Sequence, residues 1–147
     1  MKRHLFLLFL FLLSAVGFAQ TGLSVSPFFA DDFVRNSTQT SISLQGQKVK
    51  PYKLSLFRSI TLSAQGEHAR AIERAVLADA ARAVEHEAGM KEGRLYYGFY
   101  RLSSEKGRNR YLFYRNNSLR KGDESTLILI YMEGKATIAE LKRHFGK

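Results

Sequence analysis

The chain has 147 residues, with 23 Lys and Arg against 13 Asp and Glu, a formal net charge of +10, and neither Cys nor Trp. This length favours a single domain, with or without a targeting segment. The lack of cysteine excludes disulfides, thiolate zinc sites and thiol nucleophiles. A metal site would need histidine and carboxylate ligands alone, and the chain has only four histidines.

The N-terminal residues have the three-part layout of a secretory signal peptide. A basic start at Lys2 and Arg3 precedes an apolar run and then small residues that end at Ala19. The apolar run is shorter than the ~20 residues that span a bilayer. We therefore predict a signal peptide over residues 1–19 and one exported domain over residues 20–147. We expect this domain in the periplasm, at the cell surface or secreted, with no integral membrane segment after cleavage.

Cleavage would lower the net charge from +10 to +8, because Lys2 and Arg3 leave with the leader. Outside the inner membrane the abundant polyanions are lipid headgroups, acidic glycans and acidic protein surfaces. An envelope protein or an anionic glycan or lipid surface is therefore the expected partner, and nucleic acid is not. The plainer interpretation is that a modest positive charge keeps a small domain soluble.

The first half of the mature chain predicts short strands followed by one long helix. Residues 23–34, rich in Phe, predict a strand and then a short helical turn. Alternating polar and apolar residues predict strands over 41–44 and 54–62. Residues 67–87 are rich in Ala, lie between glycines and place apolar residues at helical spacing, which predicts one amphipathic helix.

The second half predicts an antiparallel meander followed by a short helix. Segments 95–102, 110–115 and 126–132 are dense in Tyr, Phe, Leu and Ile. The last segment is apolar on both faces, which is typical of a strand covered on both sides. Thr137 and Glu140 have the spacing of a capping box at the start of a C-terminal helix.

Together these elements predict an α+β fold with two layers. We expect an antiparallel sheet of about four to five strands, with the long helix and the short C-terminal helix on one face. At this size the domain is expected to bury roughly two thirds of its unfolded surface, which is enough for an independent core.

The sequence contains no convincing catalytic or metal-binding pattern. On the predicted helix, His68, Asp79 and His86 lie too far apart to share one metal ion. Asp79 borders the apolar stripe, where an acid is rarely left unpaired, so we predict a structural acid with a salt bridge to a strand arginine such as Arg58 or Arg101. We expect no catalytic residue, no metal and no cofactor, which favours a non-enzymatic protein.

Basic and aromatic residues are most densely clustered between positions 94 and 121. Tyr and Arg together are typical of recognition surfaces. The plainer interpretation is that tyrosines pair across strands while arginine stems lie over the sheet. The candidate binding residues are Arg94, Tyr96, Tyr100, Arg101, Arg110, Tyr111, Tyr114 and Arg115.

A pattern of short stretches extends over nearly the whole mature chain. It consists of Phe18-Ala19-Gln20, Ile72-Glu73-x-x-Val76-x-x-Asp79-Ala80, Tyr97-Gly98-x-Tyr100, Tyr111-x-Phe113-Tyr114-Arg115-Asn116, and Ile130-Tyr131-Met132-Glu133-Gly134 before Leu141. This pattern resembles a family of small exported proteins from anaerobic Gram-negative bacteria of the gut and mouth, whose domain has no known function. The resemblance implies an envelope location and supplies no catalytic residues.

The leading hypothesis is therefore a non-enzymatic binding or interaction domain of the cell envelope that uses a basic aromatic sheet face. One alternative is a small hydrolase-type enzyme with a helix–sheet cleft around Asp79. Another is a homodimer built on the sheet face. The sequence leaves open whether residues 23–34 cover that face, and this decides whether the aromatic residues are surface or core.

Overall fold

The computed structural model describes residues 22–145, so the predicted signal peptide lies outside the described part of the chain. The α+β class and the antiparallel sheet are confirmed, but the sheet has six strands rather than four to five. The strand order is β1-β2-β6-β5-β4-β3, and every neighbouring pair is antiparallel. The strands are β1 Thr40–Gln45, β2 Leu54–Ser63, β3 Glu85–Lys91, β4 Arg94–Glu105, β5 Arg108–Asn116 and β6 Thr126–Gly134.

Two of the connections are two-residue hairpin turns. Glu92-Gly93 joins β3 to β4 and Lys106-Gly107 joins β4 to β5, with φ of 53° and 75° in the first turn and 52° and 75° in the second. Positive φ at both central residues defines the type I′ turn, whose twist matches that of the flanking strands. Glycine at the second position adopts this backbone without steric cost.

Within the described residues there are three α-helices: α1 Asp31–Ser37, α2 Glu67–Ala80 and α3 Ile138–Phe145. The predicted helix over 67–87 begins where α2 begins, but its predicted end is wrong. The chain leaves the helix after Ala80, and the residues from Glu85 onward form β3, paired with β4. Backbone pairing with β4 overrides the helical preference of the alanine-rich sequence. No helix in residues 22–145 is long and apolar enough to cross a membrane.

The two larger helices lie on opposite faces of the sheet, so the prediction that they share a face is wrong. Ile72 and Val76 of α2 pack in one buried cluster with Leu129 of β6, on what we call the long-helix face. Leu141 of α3 packs in a second buried cluster with Met132 of β6, on the short-helix face. Side chains that alternate along β6 belong to alternate clusters, as strand geometry requires. The prediction that this strand is covered on both sides is confirmed.

The N-terminal segment covers the long-helix face beside α2. Its predicted strand is wrong, because the segment forms a 3₁₀ turn over Ser26–Phe29 followed by α1. Val25 and Phe29 are fully buried in the cluster with α2. Arg58 of β2 lies 5.3 Å from the Phe29 ring and donates a hydrogen bond of 2.6 Å to its carbonyl oxygen. The segment therefore leaves the short-helix face to α3.

The predicted capping box at the start of α3 is confirmed. The Glu140 backbone N–H donates to Thr137 Oγ1 at 3.2 Å, and the Thr137 N–H donates to Glu140 Oε1 at 3.2 Å. Lys53 Nζ lies 2.6 Å from Glu140 Oε2. This ion pair, together with the hydrogen bond from Thr137, lowers the pKa of Glu140 to about 2.

We expect Glu140→Gln to remove part of the acid sensitivity of the fold. A carboxyl group whose pKa is depressed in the native state stabilises that state above its unfolded pKa, and this contribution is lost as the pH falls towards its native pKa. The wild type is therefore expected to melt at a higher temperature than Glu140→Gln near neutral pH, with the difference shrinking between pH about 4.5 and about 2. Thermal unfolding followed by circular dichroism across this range measures the difference. The exposed substitution Glu124→Gln is the control, and a difference that does not change with pH would contradict the assignment.

Candidate functional site

The candidate binding residues do not form one surface, because strand alternation divides them between the two faces. Tyr100 and Tyr114 belong to the cluster under α2, and Tyr111 belongs to the cluster under α3. Their exposed fractions are 3%, 0% and 0%. Burial raises the pKa of all three phenols, that of Tyr114 to about 12. These tyrosines form the core of the domain and are closed to a partner.

Three of the candidate arginines are held by acidic or backbone partners. Arg94 binds Glu73 of α2, with Nη2 at 2.7 Å and Nε at 2.8 Å from Oε1, and this hydrogen bonding raises the pKa of Arg94. Arg101 pairs with Glu85 at 3.0 Å. Arg110 donates from Nε to the Ser103 carbonyl at 2.8 Å and pairs with Glu105 at 3.3 Å. These contacts tie the strands to α2 and to each other.

The structure brings Tyr96 and Arg115 together on the short-helix face. Arg115 Nη2 donates to the Tyr96 hydroxyl at 3.3 Å, and the guanidinium carbon lies 5.7 Å from the Tyr96 ring centroid. The β3–β4 ladder skips Tyr96, because Gly89 pairs with Tyr97 and Met90 with Leu95. This bulge places Tyr96 beside Tyr97, the residue that pairs directly with Arg115.

Residues that the candidate set omitted complete this surface. Phe113 precedes Arg115 by two residues in β5 and shares its face, and Ile128 of β6 pairs with Arg115. The Tyr97 ring lies over Gly89, where an added Cβ would approach ring carbon Cε1 to 2.6 Å. Counting alternate residues outward from Arg115 would have identified Phe113 from sequence. We name as the aromatic-arginine surface the half-buried residues Tyr96, Tyr97, Phe113, Arg115 and Ile128.

The aromatic-arginine surface is electrostatically positive. Arg115 has no acidic partner in residues 22–145, and the only hydrogen bond of its side chain there goes to the Tyr96 hydroxyl. Lys91 Nζ lies 6.0 Å from the Tyr96 ring centroid. Arg115, followed by Arg120, lowers the pKa of Tyr96, as cations near a phenol do. An anionic group that arrives here meets a planar guanidinium with free donors beside aromatic rings.

Asp79 lies in a separate polar feature of the domain, a helix–sheet cleft of about 210 Å³ on the long-helix face. Its buried carboxylate accepts backbone hydrogen bonds from Ser24 at 2.8 Å and Val25 at 3.1 Å, and Arg82 Nη2 approaches to 3.5 Å. The predicted partners Arg58 and Arg101 are therefore wrong. Both oxygens of Asp79 bind the N-terminal segment to the end of α2.

The cleft around Asp79 offers charged and hydroxyl groups, but no histidine among residues 22–145 lines it. Its polar walls also include Ser103, Glu105 and Arg110. Across residues 22–145, no three or more His, Asp or Glu side chains are close enough together to hold a metal ion.

A family model described as a family of unknown function, DUF6108, matches residues 12–145, which is nearly the whole chain. No curated protein matches the sequence.

Proposed function

The chain belongs to DUF6108, a family of unknown function, and we propose that it is an exported envelope protein that binds an acidic protein partner through the aromatic-arginine surface. Export is supported by the leader pattern of the sequence, with its basic start, apolar run and small residues up to Ala19. Binding is supported by one observation above all. Arg115, unlike Arg94, Arg101 and Arg110, has no acidic partner within the described residues and stands among half-buried aromatic rings.

The chemistry of this surface favours a protein over a small molecule. Small ligands bind in concave pockets, whereas these residues lie across three neighbouring strands of a sheet. Tyr and Arg at the centre of an interface contribute most to protein–protein binding, and an arginine fork can bind both oxygens of a carboxylate. The positive charge of the domain would speed its encounter with an acidic partner.

Two alternatives receive less support. A symmetric homodimer on this face would bring two copies of the same positive surface together, which costs free energy unless acidic groups intervene. A hydrolase-type enzyme centred on Asp79 would need a carboxylate that is free to act on substrate. Both Asp79 oxygens already accept hydrogen bonds from Ser24 and Val25.

We expect Arg115→Glu to weaken partner binding by more than tenfold, because it replaces the central cation with a charge that repels an acidic partner. Binding is measured by capture from envelope extracts at low and high salt, followed by titration of the captured protein. Tyr97→Ala is expected to weaken binding as well, through lost apolar contact. The fold of each variant is checked by its melting temperature.

The matched control is Arg35→Glu, which makes the same charge change on α1. Arg35 is exposed and pairs only with the exposed Asp32 in the described chain. If both variants lose partner capture to the same extent, the loss in Arg115→Glu is caused by net charge and not by the aromatic-arginine surface. Capture that survives Arg115→Glu would overturn the proposed surface, and a dimer mass in solution that Arg115→Glu abolishes would favour the homodimer.

A further inference from the structure

A second positive feature lies at the opposite end of β6 from Ile128, where β2 begins and β6 ends. Here a groove of about 410 Å³ is lined by Lys50, Lys53, Arg108 and Lys135, with Leu54 at its base. From Ile128 to Gly134 the strand advances by about 20 Å, so this groove is separate from the aromatic-arginine surface. We call it the basic groove.

Fixed backbone contacts build the groove and bring its lysines together. The N–H groups of Lys135 and Ala136 both donate to the Lys53 carbonyl, at 2.9 and 3.0 Å. Gly134 permits this crossing, because an added Cβ would lie 2.5 Å from the Lys53 carbonyl oxygen and 2.6 Å from Leu54 Cα. Lys53 and Lys135, far apart in sequence, are therefore held side by side by the main chain rather than by their flexible side chains.

Only half of the positive charge in the groove is balanced by acids. Lys53 pairs with Glu140 at 2.6 Å, and Arg108 approaches the buried Glu133 at 3.8 Å. Lys50 and Lys135 are exposed and have no acidic partner in the part of the chain that the structure describes. Like charges held together by the fold repel one another, and an anion bound between them removes this repulsion.

We propose that the basic groove binds a phosphate monoester. A lysine ammonium group attracts phosphate oxygens as a point charge. An arginine guanidinium can donate two parallel hydrogen bonds to them. The volume of about 410 Å³ exceeds what one phosphate group fills and leaves room along Leu54 for the group that the phosphate is attached to. The phosphate could be carried by a lipid headgroup or by a soluble molecule, and the experiment separates these sources.

The test measures binding of the protein, expressed from its full coding sequence, to three probes at constant ionic strength. The probes are inorganic phosphate, acetate, and phosphatidylcholine vesicles with or without phosphatidic acid, whose headgroup is a phosphate monoester. We expect binding to phosphate or to phosphatidic acid vesicles, with acetate at least tenfold weaker. Preference for the vesicles assigns a lipid source, and binding of inorganic phosphate without such preference assigns a soluble one.

The decisive variant combines Lys50→Glu with Lys135→Glu, which is expected to weaken phosphate binding at least tenfold. Neither side chain makes a hydrogen bond or an ion pair with another described residue, so the fold is expected to persist, and the melting temperature verifies this. The matched control combines Arg35→Glu with Lys121→Glu, an equal charge change at exposed positions elsewhere. Absence of binding to phosphate and to phosphatidic acid, equal binding of acetate, or equal loss in the control would each overturn the proposal. Arg115→Glu is expected to leave phosphate binding intact, so failure here is distinguishable from failure of the proposed protein partner.

Discussion

Asp79→Asn is expected to lower the free energy of unfolding by about 3 kcal/mol. The Asp79 carboxylate accepts hydrogen bonds from the backbone N–H groups of Ser24 and Val25 with its two oxygens. Asparagine keeps one oxygen and turns an amide NH₂ towards the other N–H group. One buried donor is then left unsatisfied, and the charge that strengthens both hydrogen bonds is lost.

Urea denaturation measures this loss, and hydrogen exchange shows where it arises. The amides of Ser24 and Val25 are expected to exchange faster in Asp79→Asn, because the N-terminal segment loses its attachment to α2. Asp32→Asn is the control, since the Asp32 side chain is exposed and pairs only with Arg35 in the described chain, and it is expected to cost less than about 0.5 kcal/mol. A cost for Asp79→Asn as small as that of the control would show that the carboxylate does not hold the segment.

The partner of Asp79 illustrates what a single sequence can and cannot predict. Its place at the border of the apolar stripe indicated an acid that needs a partner, which is what the structure shows. The two shortest hydrogen bonds come from backbone N–H groups more than fifty residues away in the chain, and the arginine that approaches to 3.5 Å is Arg82, at the end of the same helix. Every residue except proline offers such a donor, so no residue type marks the right one. An arginine was the natural prediction because only side chains are visible in the pattern.

The end of α2 was mispredicted for a related reason. Alanines continue beyond Ala80, so local preference alone extends the helix. The structure instead pairs Glu85–Lys91 with β4 across the Glu92-Gly93 turn. The local sign of this hairpin in the sequence is Gly93, which lies in a two-residue connection between two segments that can pair as strands. The pairing of β2 with β6 leaves no such local sign, because it joins strands distant in sequence.

The arrangement of layers could have been deduced from β6 alone. A strand that is apolar on both faces needs cover on both faces, and this was predicted for residues 126–132. The prediction that both helices lie on one face contradicts it. Because α3 covers the other face, Tyr111 lies in the core. The candidate surface on that face is then limited to the row of side chains that contains Tyr97 and Arg115. Alternation shows which side chains share a face, but only the position of the helices decides which face is covered.

Gly98→Ala is expected to destabilise the domain by about 3 kcal/mol, although alanine is the better strand residue. Gly98 lies in β4 beneath the side chain of Tyr100, and an added Cβ would approach the Tyr100 hydroxyl to 2.3 Å and ring carbon Cε2 to 2.4 Å. The ring cannot move aside cheaply, because Tyr100 is only 3% exposed and packs in the cluster with Ile72 and Tyr114. Gly98 therefore marks a close approach between the β4 backbone and the Tyr100 ring.

Gly89→Ala supplies the comparison that isolates burial as the cause. Its Cβ would approach the Tyr97 ring to 2.6 Å, but Tyr97 is half-buried and can swing towards solvent, so the expected cost is below about 1 kcal/mol. Urea denaturation of both variants gives the two costs.

Adding Tyr100→Leu to Gly98→Ala removes the clashing ring atoms, and the two changes together are expected to cost at least about 1 kcal/mol less than the sum of each alone. If the costs of the two changes simply add, or if the Gly98→Ala protein is as stable as the wild type, then the Tyr100 ring is not the reason for a glycine at position 98.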